Sequence, residues 1–257
     1  MKIIGVYNIK GGVGKTTTAV NLACAAGRGA PTLLWDLDPQ GAAGYSLGIP
    51  ETGGVGGTRD LLRGRSTLST QVVTSRIPQL DMIPARFAYR KLDILLHDAP
   101  HPRAVLRGLL RTLGGAYEWA FLDCPPGIGL VSENVFRAVD VLLVPIVPTP
   151  LSLRAFEEII VFFHRKGYNR SRILAAFTMV ERRRAIHRDT MAIFRARESA
   201  VCETVIPSLS DIERSTRTRR PVAHHRPASE AGRAYASLWE EVRQFALSGK
   251  TGGSNVS

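Results

Sequence analysis

Near the amino end the run Lys10-Gly11-Gly12-Val13-Gly14-Lys15-Thr16-Thr17 holds two lysines, three glycines and two hydroxyls in an order suited to phosphate. Glycines let successive backbone N–H groups converge on phosphate oxygens, and a helix opening at Lys15 adds the positive end of its dipole. The Lys15 ammonium can then reach β- and γ-phosphates, and the Thr16 hydroxyl is placed to ligate Mg²⁺. Such an ion keeps several waters and takes one or two carboxylates. Asp123, closing the apolar run Trp119 to Leu122, can hold one of those waters. Hydrolysis further needs a polar group that orients the attacking water in line with the γ-phosphate. Asp36 and Asp38 close another apolar run; each can act on the phosphate site or serve only as a turn or cap residue.

These residues need strands that end together. Apolar runs rich in β-branched residues predict strands at Lys2 to Tyr7, Thr32 to Trp35, Leu80 to Ile83, Trp119 to Leu122, Val141 to Val147, Ile173 to Phe177 and, briefly, Thr204 to Ile206. Helical patterns cover Lys15 to Ala26, 86–97, 103–113, Leu151 to Lys166, 187–199 and Glu230 to Leu247. The glycine-rich stretch 41–58 reads as a turning or mobile loop. Alternation of strands with helices predicts one α/β domain over 1–247: a mostly parallel sheet with helices on both faces and its chemistry at the carboxyl ends of the strands. The polar segment 248–257 is expected to be disordered.

The chain has 257 residues, and its 44% hydrophobic and 22% charged residues exclude collagen, coiled coil and wholesale disorder. No apolar run reaches the roughly 18 residues of a membrane span, and the start of the chain lacks the pattern of a signal peptide. Cys24, Cys124 and Cys202 are widely spaced without a Cys-x-x-Cys, which points to neither a disulfide framework nor zinc and suits a reducing cytoplasm. Net charge is +12, with 28 Arg among the 34 basic residues. Between Arg182 and Arg226, 11 Arg face five acidic residues, a surplus of six that is half the total. A field so concentrated favours a polyanion.

The octet departs from G-x-x-x-x-G-K-[ST] in having Ile9 at the first glycine and a second lysine at Lys10. It resembles the deviant Walker A motif of the ParA/MinD superfamily of P-loop ATPases. Asp36-Leu37-Asp38-Pro39-Gln40-Gly41 is similar to the family's D-x-D-P-Q-G, and Phe121 to Pro126 to its Walker B and switch II segment. Leu80 to Ala85, Thr178-Met179 and Val205-Ile206-Pro207 resemble further family segments, the last two bordering adenine. The resemblance implies ATP and Mg²⁺ as cofactors, with the nucleotide held by Lys10, Gly11, Gly12, Val13, Gly14, Lys15, Thr16 and Thr17 and by Met179 and Pro207. It makes Lys10, Lys15 and Asp38 catalytic, with Asp38 orienting the water, and puts Thr16, Asp38 and Asp123 around the metal. It also implies an ATP-bound homodimer, with Lys10 reaching the partner's nucleotide.

The short ParA (Soj-like) branch fits best. MinD-like relatives carry glycine at the place of Ile9 and end in a membrane-targeting helix, whereas this chain ends in a polar tail. The implied activity is slow ATP hydrolysis stimulated by a ParB-like or cargo adaptor, with non-specific DNA binding by Arg182, Arg183, Arg184, Arg214, Arg217, Arg219 and Arg220. That would serve DNA partition or cargo positioning in a nucleoid-associated cytoplasmic protein without membrane contact. A MinD-like membrane regulator and a regulatory ATPase of a secretion or polysaccharide machine are the alternatives.

Overall fold

A computed structural model describes residues 1–49, 61–62, 65–99 and 101–248, with the side chains of 87 and 88 excepted. The elements run β1 (Lys2–Val6), α1 (Lys15–Ala26), β2 (Thr32–Asp36), α2 (Ala42–Leu47), β3 (Val73–Thr74), β4 (Leu80–Ile83), α3 (Leu92–His97), α4 (Val105–Arg111), β5 (Trp119–Asp123) and α5 (Leu130–Ala138). They continue with β6 (Val141–Ile146), α6 (Pro150–Lys166), β7 (Ile173–Phe177), α7 (Ala185–Arg197), α8 (Ser210–Thr218), α9 (Val222–His225) and α10 (Glu230–Leu247). The seven strands lie in the order β3-β4-β2-β5-β1-β6-β7. Every pairing is parallel except that of β3 with β4.

Strands β2, β5, β6 and β7 are buried at every position, as a parallel sheet covered on both faces requires. On one face Leu92, Leu106, Val135, Phe136, Phe156, Phe163 and Phe194 bring α3 to α7 onto the sheet. On the other, α1, α9 and α10 pack through Leu22, Val222, Tyr235, Leu238 and Trp239. The chain goes from β1 to β2 on one side and from β5 to β6 on the other, so β1 lies at a reversal of strand order. The crevice outside the carboxyl ends of such strands is where α/β sheets bind ligands.

Four expectations need correction. Residues 42–47, read as loop, form α2: Gly41 and Gly48 close its ends at φ of 67° and 68°, and the Asp36 carboxylate accepts from Ala43 N–H. The remainder of that glycine-rich stretch from residue 50, like the tail from 249, lies outside the described residues. Thr204 to Ile206 is no strand. Segment 201–207 follows the β7 edge through Cys202 N–H to the Ala175 carbonyl and Ile206 N–H to the Phe177 carbonyl. Between them, Glu203 and Thr204 turn their N–H groups to the Glu241 carboxylate at 2.7 and 2.9 Å, which breaks the ladder. No helix is expected between 199 and 230, yet Ser210–Thr218 forms α8, which carries Arg214 and Arg217, with Arg219 and Arg220 following its end. Finally, 86–97 divides into a 3-10 helix over Phe87–Lys91 and α3, and 103–113 contracts to α4.

Candidate functional site

The glycine loop leaves the end of β1 and is tied on three sides. Buried Asn8 donates to the Pro145 carbonyl at 2.8 Å and accepts from Lys10 N–H at 3.0 Å, fixing the loop to the end of β6. Tyr7 donates its hydroxyl to the Gly127 carbonyl, and Gly127 N–H donates to the Ile9 carbonyl, joining the loop to the segment after β5. Thr178 Oγ1 donates to the Val13 carbonyl at 2.9 Å in a buried bond, joining it to the end of β7. Gly12 and Gly14 take φ of 72° and 82°, a region open to glycine at little cost. Gly14 begins α1 without a side-chain cap, and the first turn carries no acidic residue. Its N–H groups are therefore free to meet an anion.

Lys15 is buried, and its Nζ donates to the Lys10 carbonyl at 2.7 Å. Burial holds its ammonium below the ordinary lysine value, opposed first by the charge of Asp123. Asp123 is fully buried, and among the described residues neither carboxylate oxygen has a hydrogen-bond partner. Burial raises its carboxyl well above the ordinary value, with Asp36 adding to the rise and the nearby Thr16 hydroxyl and Lys15 opposing it. A buried carboxylate left with both oxygens unpaired is costly. Beside a lysine, a hydroxyl and a helix N-terminus it fits a hydrated Mg²⁺ ion.

Asp36 stands opposite Asp123 in the β2–β5 register. Its Oδ1 accepts from Asp38 N–H and its Oδ2 from Ala43 N–H, both at 3.1 Å. Burial pushes its carboxyl up to about 7, against those N–H donors. Its work is to shape the Asp38 loop and begin α2. Asp38 is half-buried and accepts from Gln40 N–H at 3.0 Å. Among the described residues the Lys10 ammonium makes no hydrogen bond or ion pair.

Met179 and Pro207, far apart in sequence, come together because Val180 and Pro207 form a parallel bridge. With Gly14, Thr17, Thr178, Ile206, Leu209 and Tyr235 they line a pocket of about 90 Å³ beside α1. Met179 has a φ of 53° and its methyl lies against Gly14. The arginines are exposed and fall into two groups, 182–184 after β7 and 214–220 around α8. Arg184 pairs with Glu181 at 3.2 Å. Arg219 stacks its guanidinium on the Tyr45 ring at 4.4 Å, so it is engaged within the chain. Sequence reasoning missed Asn8, Tyr7 and Tyr45; a polar Asn8 closing an apolar strand just before the loop was the available signal. The three cysteines are buried free thiols. Among the described residues no helix is long and apolar enough to cross a membrane.

The model of an AAA domain family matches residues 1–171. The fold is shared with an ATP complex of Cyanothece McdA, with a TM-score of 0.82, 18% identity and coverage of 100% of this chain and 98% of that one. It is also shared with Mycobacterium smegmatis cobyrinic acid a,c-diamide synthase holding ADP and magnesium, at a TM-score of 0.80, 23% identity and coverage of 97% and 96%. The chain belongs to the ParA/MinD superfamily of P-loop ATPases. Within it the likeness is to Soj-type proteins. The chromosome partitioning protein ParA of Caulobacter vibrioides is 30% identical over 250 residues, 94% of each chain. The sporulation initiation inhibitor Soj of Bacillus subtilis is 30% identical over 250 residues, 94% of this chain and 98% of that one.

Proposed function

We propose that residues 1–247 act as one ATPase domain of partition type, using ATP and Mg²⁺, dimerising on ATP and binding DNA without sequence preference. The observation that carries the nucleotide site is Asp123, a buried carboxylate beside Lys15 and Thr16 with both oxygens unpartnered among the described residues. In this reading the loop N–H groups from Gly11 to Thr17 hold the phosphates, and Lys15 leaves the Lys10 carbonyl for the β- and γ-oxygens. Thr16 and, through water, Asp123 would hold Mg²⁺, with Asp38 nearby; the ion neutralises phosphate charge when bound. Asp38, on its turn, orients the attacking water. Met179 and Pro207 border the adenine from the adjoining pocket.

Lys10, whose ammonium has no partner in the described chain, reaches the nucleotide of a second copy and makes ATP part of the dimer contact. The exposed Arg182, Arg183 and Arg184 and the group Arg214, Arg217 and Arg220 contact DNA phosphates, which needs no base readout, while Arg219 stays on the Tyr45 ring among them. Turnover is slow until a ParB-like or cargo adaptor stimulates it, and the protein rides the nucleoid in the cytoplasm. The test is nucleotide binding, hydrolysis and light scattering on three variants. Lys15→Ala should lose ATP binding. Asp38→Ala should bind ATP, fail to hydrolyse it and stay dimeric, and adding Lys10→Ala should weaken that dimer. Wild-type hydrolysis by Asp38→Ala would overturn the assignment of the water, and a monomer under every nucleotide condition would overturn the sandwich.

A further inference from the structure

The Asp38 loop continues directly into α2. Gly41 N–H donates to the Asp38 carbonyl at 3.0 Å, and Asp36 holds both Asp38 and the start of α2. The helix is six residues long and closed at both ends by left-handed glycines. Its large exposed side chain is Tyr45, 46% exposed, whose ring lies under the Arg219 guanidinium.

Arg219 is itself firmly placed. It ends α8 at a φ of 54°, unusual for a side chain of its size, with its N–H on the Thr216 carbonyl and Arg220 N–H on the Ser215 carbonyl. Gln40, Gly41, Tyr45, Thr216 and Arg219 line one cleft of about 460 Å³ that joins the Asp38 loop to α8. Beyond the stack, α8 and its end carry the exposed Arg214, Arg217 and Arg220.

We propose that the Tyr45–Arg219 stack is a latch by which the loop carrying Asp38 sets the position of α8 and its arginines. The inference rests on the nucleotide and DNA reading above, and gives it a route inside one protomer, additional to the pairing of two surfaces in a dimer. Nucleotide at the loop displaces α2, Tyr45 carries Arg219 with it, and the basic end of α8 is held in one orientation. Tyr45 is a positioning residue in this scheme and touches no substrate.

The test is hydrogen exchange of residues 210–220 with and without Mg²⁺ and the slowly hydrolysed analogue ATPγS, run beside anisotropy on random duplex DNA. In the wild-type protein nucleotide should slow exchange across 210–220. Tyr45→Ala should bind ATPγS within about two-fold of wild type yet lose that response, and its nucleotide-dependent gain in DNA affinity should fall by about two- to five-fold, the range of an exposed cation–π contact. Tyr45→Phe, which keeps the ring face, should behave as wild type. If Tyr45→Ala does not fold, Arg219→Leu should show the same loss of response at 210–220. A wild-type response in Tyr45→Ala, a lost one in Tyr45→Phe, or no response in the wild type overturns the latch. A nucleotide response at 210–220 without any DNA binding upholds the latch and overturns the DNA reading alone.

Discussion

Replacing Asp36 by Asn should make the ligand-free protein gain stability relative to wild type as the pH rises. Asp36 is fully buried, one strand from the buried Asp123, and its carboxyl is pushed up to about 7 by burial. A carboxyl with a raised folded value keeps its proton after the unfolded chain has lost it. The folded state therefore binds more protons between about 4 and 7, and stability falls with pH through that window. The interval from the ordinary 3.8 to about 7 corresponds to about 4 kcal/mol. Other groups act differently: Glu133, held below its ordinary value chiefly by Arg103 and Tyr168 against its own burial, adds stability that is lost only on acidification. His187 and His224, lowered by burial, make stability rise towards pH 6.5. Both contributions cancel in the difference between wild type and Asp36→Asn. Removing Asp36 also relieves Asp123 of a like charge, which acts in the same direction, so urea unfolding from pH 4 to 8 should show that difference shifting by at least about 4 kcal/mol in favour of the variant, with unchanged denaturant slopes. The missing acceptor for Asp38 or Ala43 N–H adds a constant offset. A difference that does not vary with pH, or that moves the other way, refutes the reasoning.

Thr178→Val removes the hydroxyl bonded to the Val13 carbonyl; leaving that buried carbonyl short of a donor should cost about 1–3 kcal/mol. In a chain of this size that lowers Tm by about 3–10 °C, and ATP affinity should fall with it, so calorimetry and nucleotide titration that both match wild type would refute the role given to this bond. Replacing Arg182, Arg183 and Arg184 together by Ala should weaken binding to every duplex sequence alike, with ATP binding unchanged. The slope of log affinity against log salt should flatten by about 0.9 for each DNA phosphate that the variant leaves unneutralised. An unaltered slope would leave these arginines as solvated surface.

Much of the fold was legible because its strongest signals are local. The spans of α1, β4, β7 and α10 follow from unbroken apolar or periodic runs, and the phosphate loop is contiguous, so the order of Lys10 to Thr17 between a strand and a helix carries its own geometry. Glycine content misled the reading of α2, where the deciding group is a carboxylate from the preceding strand. Ser210–Thr218 holds a single apolar residue, Ile212, so α8 has no apolar stripe to read.

The class of chemistry is written along the chain: a loop shaped for phosphate, strand-end carboxylates, a basic surplus in one stretch. The division of labour among them comes from the folded arrangement. Asp36 and Asp38 are two residues apart and chemically alike, yet one is buried on backbone N–H groups and the other half-buried on a turn. The register of β2 with β5 puts Asp36 against Asp123, and the bridge of Val180 to Pro207 brings Met179 and Pro207 to Gly14. Arg219 looks like its neighbours until α8 carries it onto Tyr45. These roles depend on desolvation and on partners remote along the chain, and both arise only when the strands and helices close on one another.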